Sequence, residues 1–212
     1  MTPMTFVKPV GAVAAIALIG LAGMVSTSPR VHADSSNTDS RIQIGLNIAP
    51  VKLNMKGLNP ALVGIGSYIV DAQADCNGCH NSPDLGGEWA FGHNPYFGQP
   101  KMVNTAGYLG GGMTFGPFPG KGIGGVGPLI IYTRNLTPDA SGLPEGGHTL
   151  QEFMTILRTG HDFDAAHPAC STGMLGAEGC IASPPFDPDL LQVMPWPVFA
   201  NMSDNDIEAI YE

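Results

Sequence analysis

Cys76-Asn77-Gly78-Cys79-His80 constrains this chain more than any other stretch. Two cysteines three apart, followed at once by histidine, form the attachment signature of c-type haem. The spacing follows from the chemistry. Each thiol adds to one vinyl group, giving two thioether bonds, and the next residue then lies under the iron with an imidazole nitrogen as ligand. Two other uses of the motif compete. A structural zinc site takes four ligands, yet Cys170 and Cys180 lie about 90 residues away with nine residues between them, a spacing foreign to zinc ribbons. A thioredoxin-like dithiol sits where a strand enters a helix. Here a helical pattern precedes the motif and a Gly/Pro-rich segment follows it. One covalently attached haem c is the expected cofactor.

The start of the chain speaks to compartment. Lys8 supplies a positive n-region, Val10 to Val25 is apolar, and Val31-His32-Ala33 fits a small-residue cleavage site. Cleavage after Ala33 is expected, which makes residues 1–33 a signal peptide. The alternative is an uncleaved membrane anchor. The apolar run is about 16 residues, against the ~20 of a spanning helix, and Pro29 follows it. Covalent haem is attached outside the cytoplasm, so an exported, periplasmic-type location and the motif agree. Without Lys8 and Arg30, seven basic residues face 18 acidic ones, a formal charge of −11. Nucleic acid and anionic membrane surfaces are poor partners for such a chain. A redox partner with a basic docking patch suits it; acidity that simply keeps an exported protein soluble explains the charge equally well.

Gly (29) and Pro (19) are abundant while charged residues are 13 %, which predicts long ordered loops around few regular elements. Ile42, Ile44, Leu46 and Ile48 alternate with other residues, so residues 34–58 read as an N-terminal extended segment interrupted by Pro50. Asn59-Pro60 reads as an N-cap with Pro at the first helical position, and Leu62, Ile65, Ile69 and Ala72 keep helical spacing. Gly64 and Gly66 weaken such a helix by about 1 kcal/mol each relative to Ala, unless another helix packs closely against them. Residues 81–127 lack periodicity, and no Gly-Lys-Ser/Thr ending supports a phosphate loop. Leu129 to Tyr132 reads as a short extended run. Thr149 and Glu152 form a capping box, Gly160 closes the helix, and Leu150, Phe153, Met154 and Leu157 share one face. Asp187-Pro188 reads as a short turn of helix. Ser203 and Asp206 cap a last helix striped with Ile207, Ile210 and Tyr211.

His80 leaves the opposite face of an iron open. Met194, in Val193-Met194-Pro195-Trp196-Pro197, is the first choice for it. A thioether is soft and neutral, suits ferrous iron and raises the reduction potential. With ten methionines in the chain, core packing competes with that role. Met174 is the second candidate, and His93, His148, His161 and His167 are further ones.

In order, Cys76-Asn-Gly-Cys-His80, Arg134-Asn-Leu-Thr-Pro-Asp139, Leu157-Arg-Thr-Gly160, Met194-Pro-Trp196 and Ile207-Glu-Ala-Ile-Tyr211 resemble the class I c-type cytochromes. The likeness is greatest to the haem domains of cytochrome subunits serving periplasmic alcohol and gluconate dehydrogenases, and it spans about residues 60–212. It implies a mainly α fold, a helical domain over 59–212 wrapped around one haem with long Gly/Pro-rich loops. It implies His80/Met194 axial ligation, crossing N- and C-terminal helices, and a place near the haem for Tyr132 to Asn135. In this family a proline carbonyl commonly accepts the other ring N–H of the proximal histidine, which puts Pro128 forward. Arg134 is a candidate partner for a haem propionate. Two departures stand out. The last helix is only about ten residues, which suggests truncation, and an insertion carries Cys170 and Cys180, which an oxidising compartment would pair.

The expected function is electron transfer by a monohaem carrier, free or as the non-catalytic subunit of a dehydrogenase complex. An open-site haem enzyme or gas sensor is the alternative. A haem-free metal module is the third reading.

Overall fold

The computed structural model describes residues 39–118, 128–161, 163 and 190–212. The expected signal peptide, the Cys170/Cys180 pair, Met174, His167 and Asp187-Pro188 lie outside them. Helix α2, Pro60–Tyr68, is the central element. Its Asn59 side chain accepts from Ala61 N at 3.0 Å, and Pro60 occupies the first turn, where its missing N–H costs nothing. The helix continues as a π-helical turn, Ile69–Gln73, and leads into α3, Cys76–His80.

Helix α1, Ser40–Ile48, lies against α2. The alternating isoleucines had predicted extended chain here, and the structure corrects this. Asp39 caps the helix by accepting from Arg41 N at 2.9 Å. Ile42 and Gly45, three apart, are buried, while Ile44 and Ile48 are exposed. Helical spacing therefore decides which residues meet α2, and tertiary packing overrides the local alternation.

The crossings explain the glycines. A Cβ on Gly45 would stand 1.9 Å from the Gly64 carbonyl oxygen, and one on Gly66 would stand 1.8 Å from that of Ala209 in α6, Asp204–Tyr211. Backbones touch where side chains are missing, so α2 is sandwiched between α1 and α6. Ile42, Ala61, Ile65, Ile69 and Ala209 fill the core between the three. Arg41 ties the ends together, reaching Asp39 at 2.8 Å and Asp206 at 3.0 Å; such half-exposed pairs are worth about 0–1 kcal/mol each.

A second core cluster joins α6 to α4, Leu150–Thr159, through Phe153, Leu157 and the fully buried Ile207. Both halves of the Thr149/Glu152 capping box are formed, and Gly160 ends the helix in the left-handed conformation. Arg158 donates to the Ala200 carbonyl and to Asp204, both at 2.6 Å, fixing the start of α6. The short α5, Trp196–Phe199, follows the Met194 loop. Strands β1, Thr114–Phe118, and β2, Leu129–Tyr132, pair antiparallel with an irregularity between Phe115 and Phe118. The sequence predicts β2 but not β1, because Gly116-Pro117 breaks a strand pattern; Pro is tolerated at edges and irregularities of this kind. Among the described residues, no helix is long and apolar enough to cross a membrane.

Candidate functional site

Helix α3 is built to present its three chemical residues. Asp75 precedes it in the left-handed region, φ 50°, a conformation that aspartate tolerates better than most residues. This turn separates the π-helical segment from α3. Asn77 and Asn81 then lock the short helix. Asn81 Nδ2 donates to the Asn77 and Gly78 carbonyls at 3.0 and 3.1 Å, satisfying C-terminal acceptors that a five-residue helix leaves open. Asn77 Oδ1 accepts from Leu109 N at 2.9 Å and ties the helix to the following loop.

His80 is half-buried, and its Nδ1 lies 2.9 Å from the Arg134 carbonyl oxygen. Pro128, which the family resemblance puts forward for this role, is exposed just before β2. The correction has a structural cause. Gly111 N donates to the His80 carbonyl at 2.7 Å, and Gly111 adopts φ +70° with the Arg134–Asn135 peptide pressed against it, since an added Cβ would be 2.4 Å from the Arg134 carbonyl carbon. The loop at 109–112 thus carries the 133–136 backbone to the histidine. With Nδ1 serving as donor to that carbonyl, the free nitrogen is Nε2, the one available to a metal. Burial pushes the His80 pKa down, which favours the neutral, ligating imidazole.

The two thiols differ in setting. Cys76 is half-buried and Cys79 exposed, and neither is in a disulfide. Burial, with Glu145, Asp71 and Asp75 adding negative charge, pushes the Cys76 thiol up to about 12. Burial and then Asp75 and Glu88 push Cys79 up as well. A reactive redox dithiol requires the opposite, a lowered thiol pKa.

Cys76, Cys79, His80, Arg134 and Met194 all line one cavity. Tyr132 and Thr133 line it too, as do His148 and His161; His93 lies elsewhere, on the loop after α3. Apolar side chains from α4, α6 and β1–β2 make most of the wall, including Phe115, Ile131, Phe153, Leu157 and Ile210. The cavity volume is about 200 Å³. Met194 is half-buried and packs against the Phe153/Leu157/Ile207 cluster. Its loop is held on both sides: Leu191 N donates to the Gly160 carbonyl at 2.8 Å, and Trp196 N to the Met194 carbonyl at 2.8 Å. The Trp196 ring lies where a Cβ on Gly160 would be, 2.3 Å from its nearest atom. The Leu157-Arg-Thr-Gly160 and Met194-Pro-Trp196 motifs, 34 or more positions apart, therefore meet.

These residues fit a haem c group. Two thiols, an imidazole oriented through its Nδ1, a thioether and a mostly apolar wall belong to one cavity. Sequence reasoning missed Glu145, which is half-buried on the cavity wall with φ 56°. Burial pushes its carboxyl up to about 8. Nothing in the local sequence distinguishes Pro144-Glu145-Gly146 from a surface turn. Comparison of the chain with protein-family models, curated proteins and solved structures finds no match.

Proposed function

We propose that this chain is a monohaem c-type cytochrome that carries electrons in an exported compartment. The observation that carries the reading is the convergence of Cys76, Cys79, His80 and Met194 on the wall of one mostly apolar cavity. Haem supplies an iron that cycles between ferrous and ferric states and so moves one electron at a time. Cys76 and Cys79 anchor the group. His80, oriented by the Arg134 carbonyl, and Met194, whose loop is held by the Gly160/Trp196 contact, would hold its iron through an imidazole nitrogen and a thioether sulfur. The apolar wall excludes water and limits the solvent reorganisation that accompanies the charge change. Arg134 is among the residues lining the cavity, which keeps it a candidate partner for a propionate. Under this reading the chain transforms no organic substrate. A dehydrogenase partner would supply the electrons, and an acceptor with a basic docking patch suits the charge of −11 left after signal cleavage.

The pyridine haemochrome spectrum of the exported protein tests the cofactor, and absence of covalent haem sinks the reading. Met194→Ala tests the ligand set. Reduced wild type should resist carbon monoxide, and the variant should bind it. The variant's potential should fall by on the order of 0.1 V, within the ~0.8 V that axial ligands span. Carbon monoxide binding by the unaltered protein would favour an open-site haem enzyme or sensor instead.

A further inference from the structure

Residues 85–104, directly after the haem motif, form a lobe whose chemistry the electron-carrier reading does not use. Phe91 is 103 % exposed, Tyr96 83 % and Phe97 78 %, with Leu85 and Met102 also exposed. Isolated exposed apolar residues are ordinary, but Leu85, Phe91 and Phe97 line one surface hollow, and apolar residues grouped in this way mark a contact site. The exposure is not that of a loose loop. Trp89 pairs with Val103, Ala90 N donates to the Met102 carbonyl at 3.0 Å, and Asn104 N donates to the Glu88 carbonyl at 2.8 Å. Asn104 Nδ2 donates to the Leu85 and Gly87 carbonyls at 2.7 and 3.0 Å. Asn94 caps the 3₁₀ turn Pro95–Phe97 that presents Tyr96 and Phe97. Trp89 meets Tyr96 edge to face at 6.4 Å and carries Lys101 over its ring at 5.7 Å. The backbone therefore holds its aromatic side chains out to water on an ordered frame.

The charges say what kind of occupant fits. From Asp75 to Asn104 the chain has Asp75, Asp84 and Glu88 against Lys101, whose ammonium is turned onto Trp89. Gly87 N donates to the Ser82 carbonyl at 2.9 Å, which ties the start of the lobe to the end of α3, and Asp84 and Glu88 lie in the chain between Cys79 and the exposed aromatic residues. An apolar centre beside an acidic rim is complementary to a protein surface with an apolar centre and a basic rim. The same rim opposes an anionic bilayer.

We propose that the 85–104 lobe is the docking platform for a basic redox partner protein, with Phe91, Tyr96 and Phe97 as its apolar anchors and Asp75, Asp84 and Glu88 as its steering charges. The proposal rests on the electron-carrier reading, because the partner would sit beside the exposed Cys79, one of the two residues that would anchor the group.

The test uses the full exported protein with its haem confirmed by pyridine haemochrome. Stopped-flow oxidation is followed with two protein probes, a basic monohaem cytochrome c and an acidic one, and with ferricyanide as a small reference oxidant. Wild type should react faster with the basic probe than with the acidic one, and that advantage should shrink as salt is raised. Phe91→Ser/Tyr96→Ser/Phe97→Ser should lose at least tenfold in rate with the basic probe, read relative to the variant's own ferricyanide rate, and keep its salt dependence. Glu88→Gln should keep the apolar contact and flatten the salt dependence. Equal relative rates for the triple variant and wild type overturn the proposal, as does a wild-type protein that does not prefer the basic probe. Failure to find haem overturns the parent reading; haem present with an insensitive lobe overturns only this one.

Discussion

Gly111 and Gly112 offer a paired test of how His80 is held. Both have positive φ, +70° and +93°, so an alanine at either pays a left-handed backbone cost of about 1–2 kcal/mol. The surroundings differ. A Cβ at Gly111 would sit 2.4 Å from the Arg134 carbonyl carbon and 2.5 Å from its oxygen, whereas at Gly112 the nearest atom is Pro83 Cδ at 4.0 Å. Gly111→Ala must therefore push the Arg134–Asn135 peptide, at an overpacking cost of about 1–3 kcal/mol beyond the backbone term. At roughly 2–4 °C per kcal/mol for a chain of this size, Gly111→Ala should melt some 2–12 °C below Gly112→Ala. The same push moves the oxygen that faces His80 Nδ1 at 2.9 Å. A ring N–H donated to a carbonyl makes the other nitrogen a better donor to ferric iron, so weakening it should raise the reduction potential. A neutral hydrogen bond is worth about 1 kcal/mol, and if all of that separates the two oxidation states the rise is about 40 mV, at ~59 mV per tenfold for one electron. Optical redox titration and thermal melting of the haem-loaded variants read both effects. Equal melting points and equal potentials for the two variants would refute the claim that Gly111 sets the position of the Arg134 carbonyl.

Burial holds the Glu145 carboxyl up to about 8, against an ordinary 4.5. The folded chain thus keeps a proton that the unfolded chain has released, and stability falls as pH rises from about 4.5 toward 8, by at most ~1.4 kcal/mol per pH unit. Glu145→Gln should flatten this fall, and parallel melting profiles for wild type and variant between pH 5 and 8 would count against it. Gly66→Ala gains about 1 kcal/mol of helix propensity, yet its Cβ would lie 1.8 Å from the Ala209 carbonyl oxygen. It should lower the melting temperature by several degrees, and a rise would mean the α2–α6 crossing is looser than described.

The fold was legible where a residue's local chemistry and its tertiary role agree. Thr149, Glu152 and Gly160 bracket α4 because capping groups act within four residues of the backbone they satisfy. Asn59-Pro60 starts α2 for the same reason. Legibility failed where packing decides. Ile42, Ile44, Leu46 and Ile48 fit period two on paper, but the helix needs only Ile42 and Gly45 to face α2. Gly45 carried no weight in a reading based on apolar side chains, although its missing side chain is what lets α1 reach Gly64. Strand β1 was lost to Gly116-Pro117, which reads as a turn unless the partner strand is known.

The candidate site divides along a different line. Cys76, Cys79, His80 and Met194 are nominated by the sequence because thiol, imidazole and thioether are chemistries that a side chain announces by its identity, and the structure brings all four to one cavity. The atom that orients His80 is a carbonyl oxygen, and every residue has one. Pro128 and Arg134 were therefore indistinguishable as acceptors on sequence grounds, and family resemblance favoured the proline. What selects Arg134 is space: Gly111, 23 positions earlier, leaves room for that peptide and donates its own N–H to the His80 carbonyl. Glu145 follows the same logic, since its raised pKa comes from the cavity wall around it and from no neighbour in the sequence. The residues that would bind the group are thus written in the side chains. Those that would tune its potential act through backbone placement and burial, and so emerge only once the chain is folded.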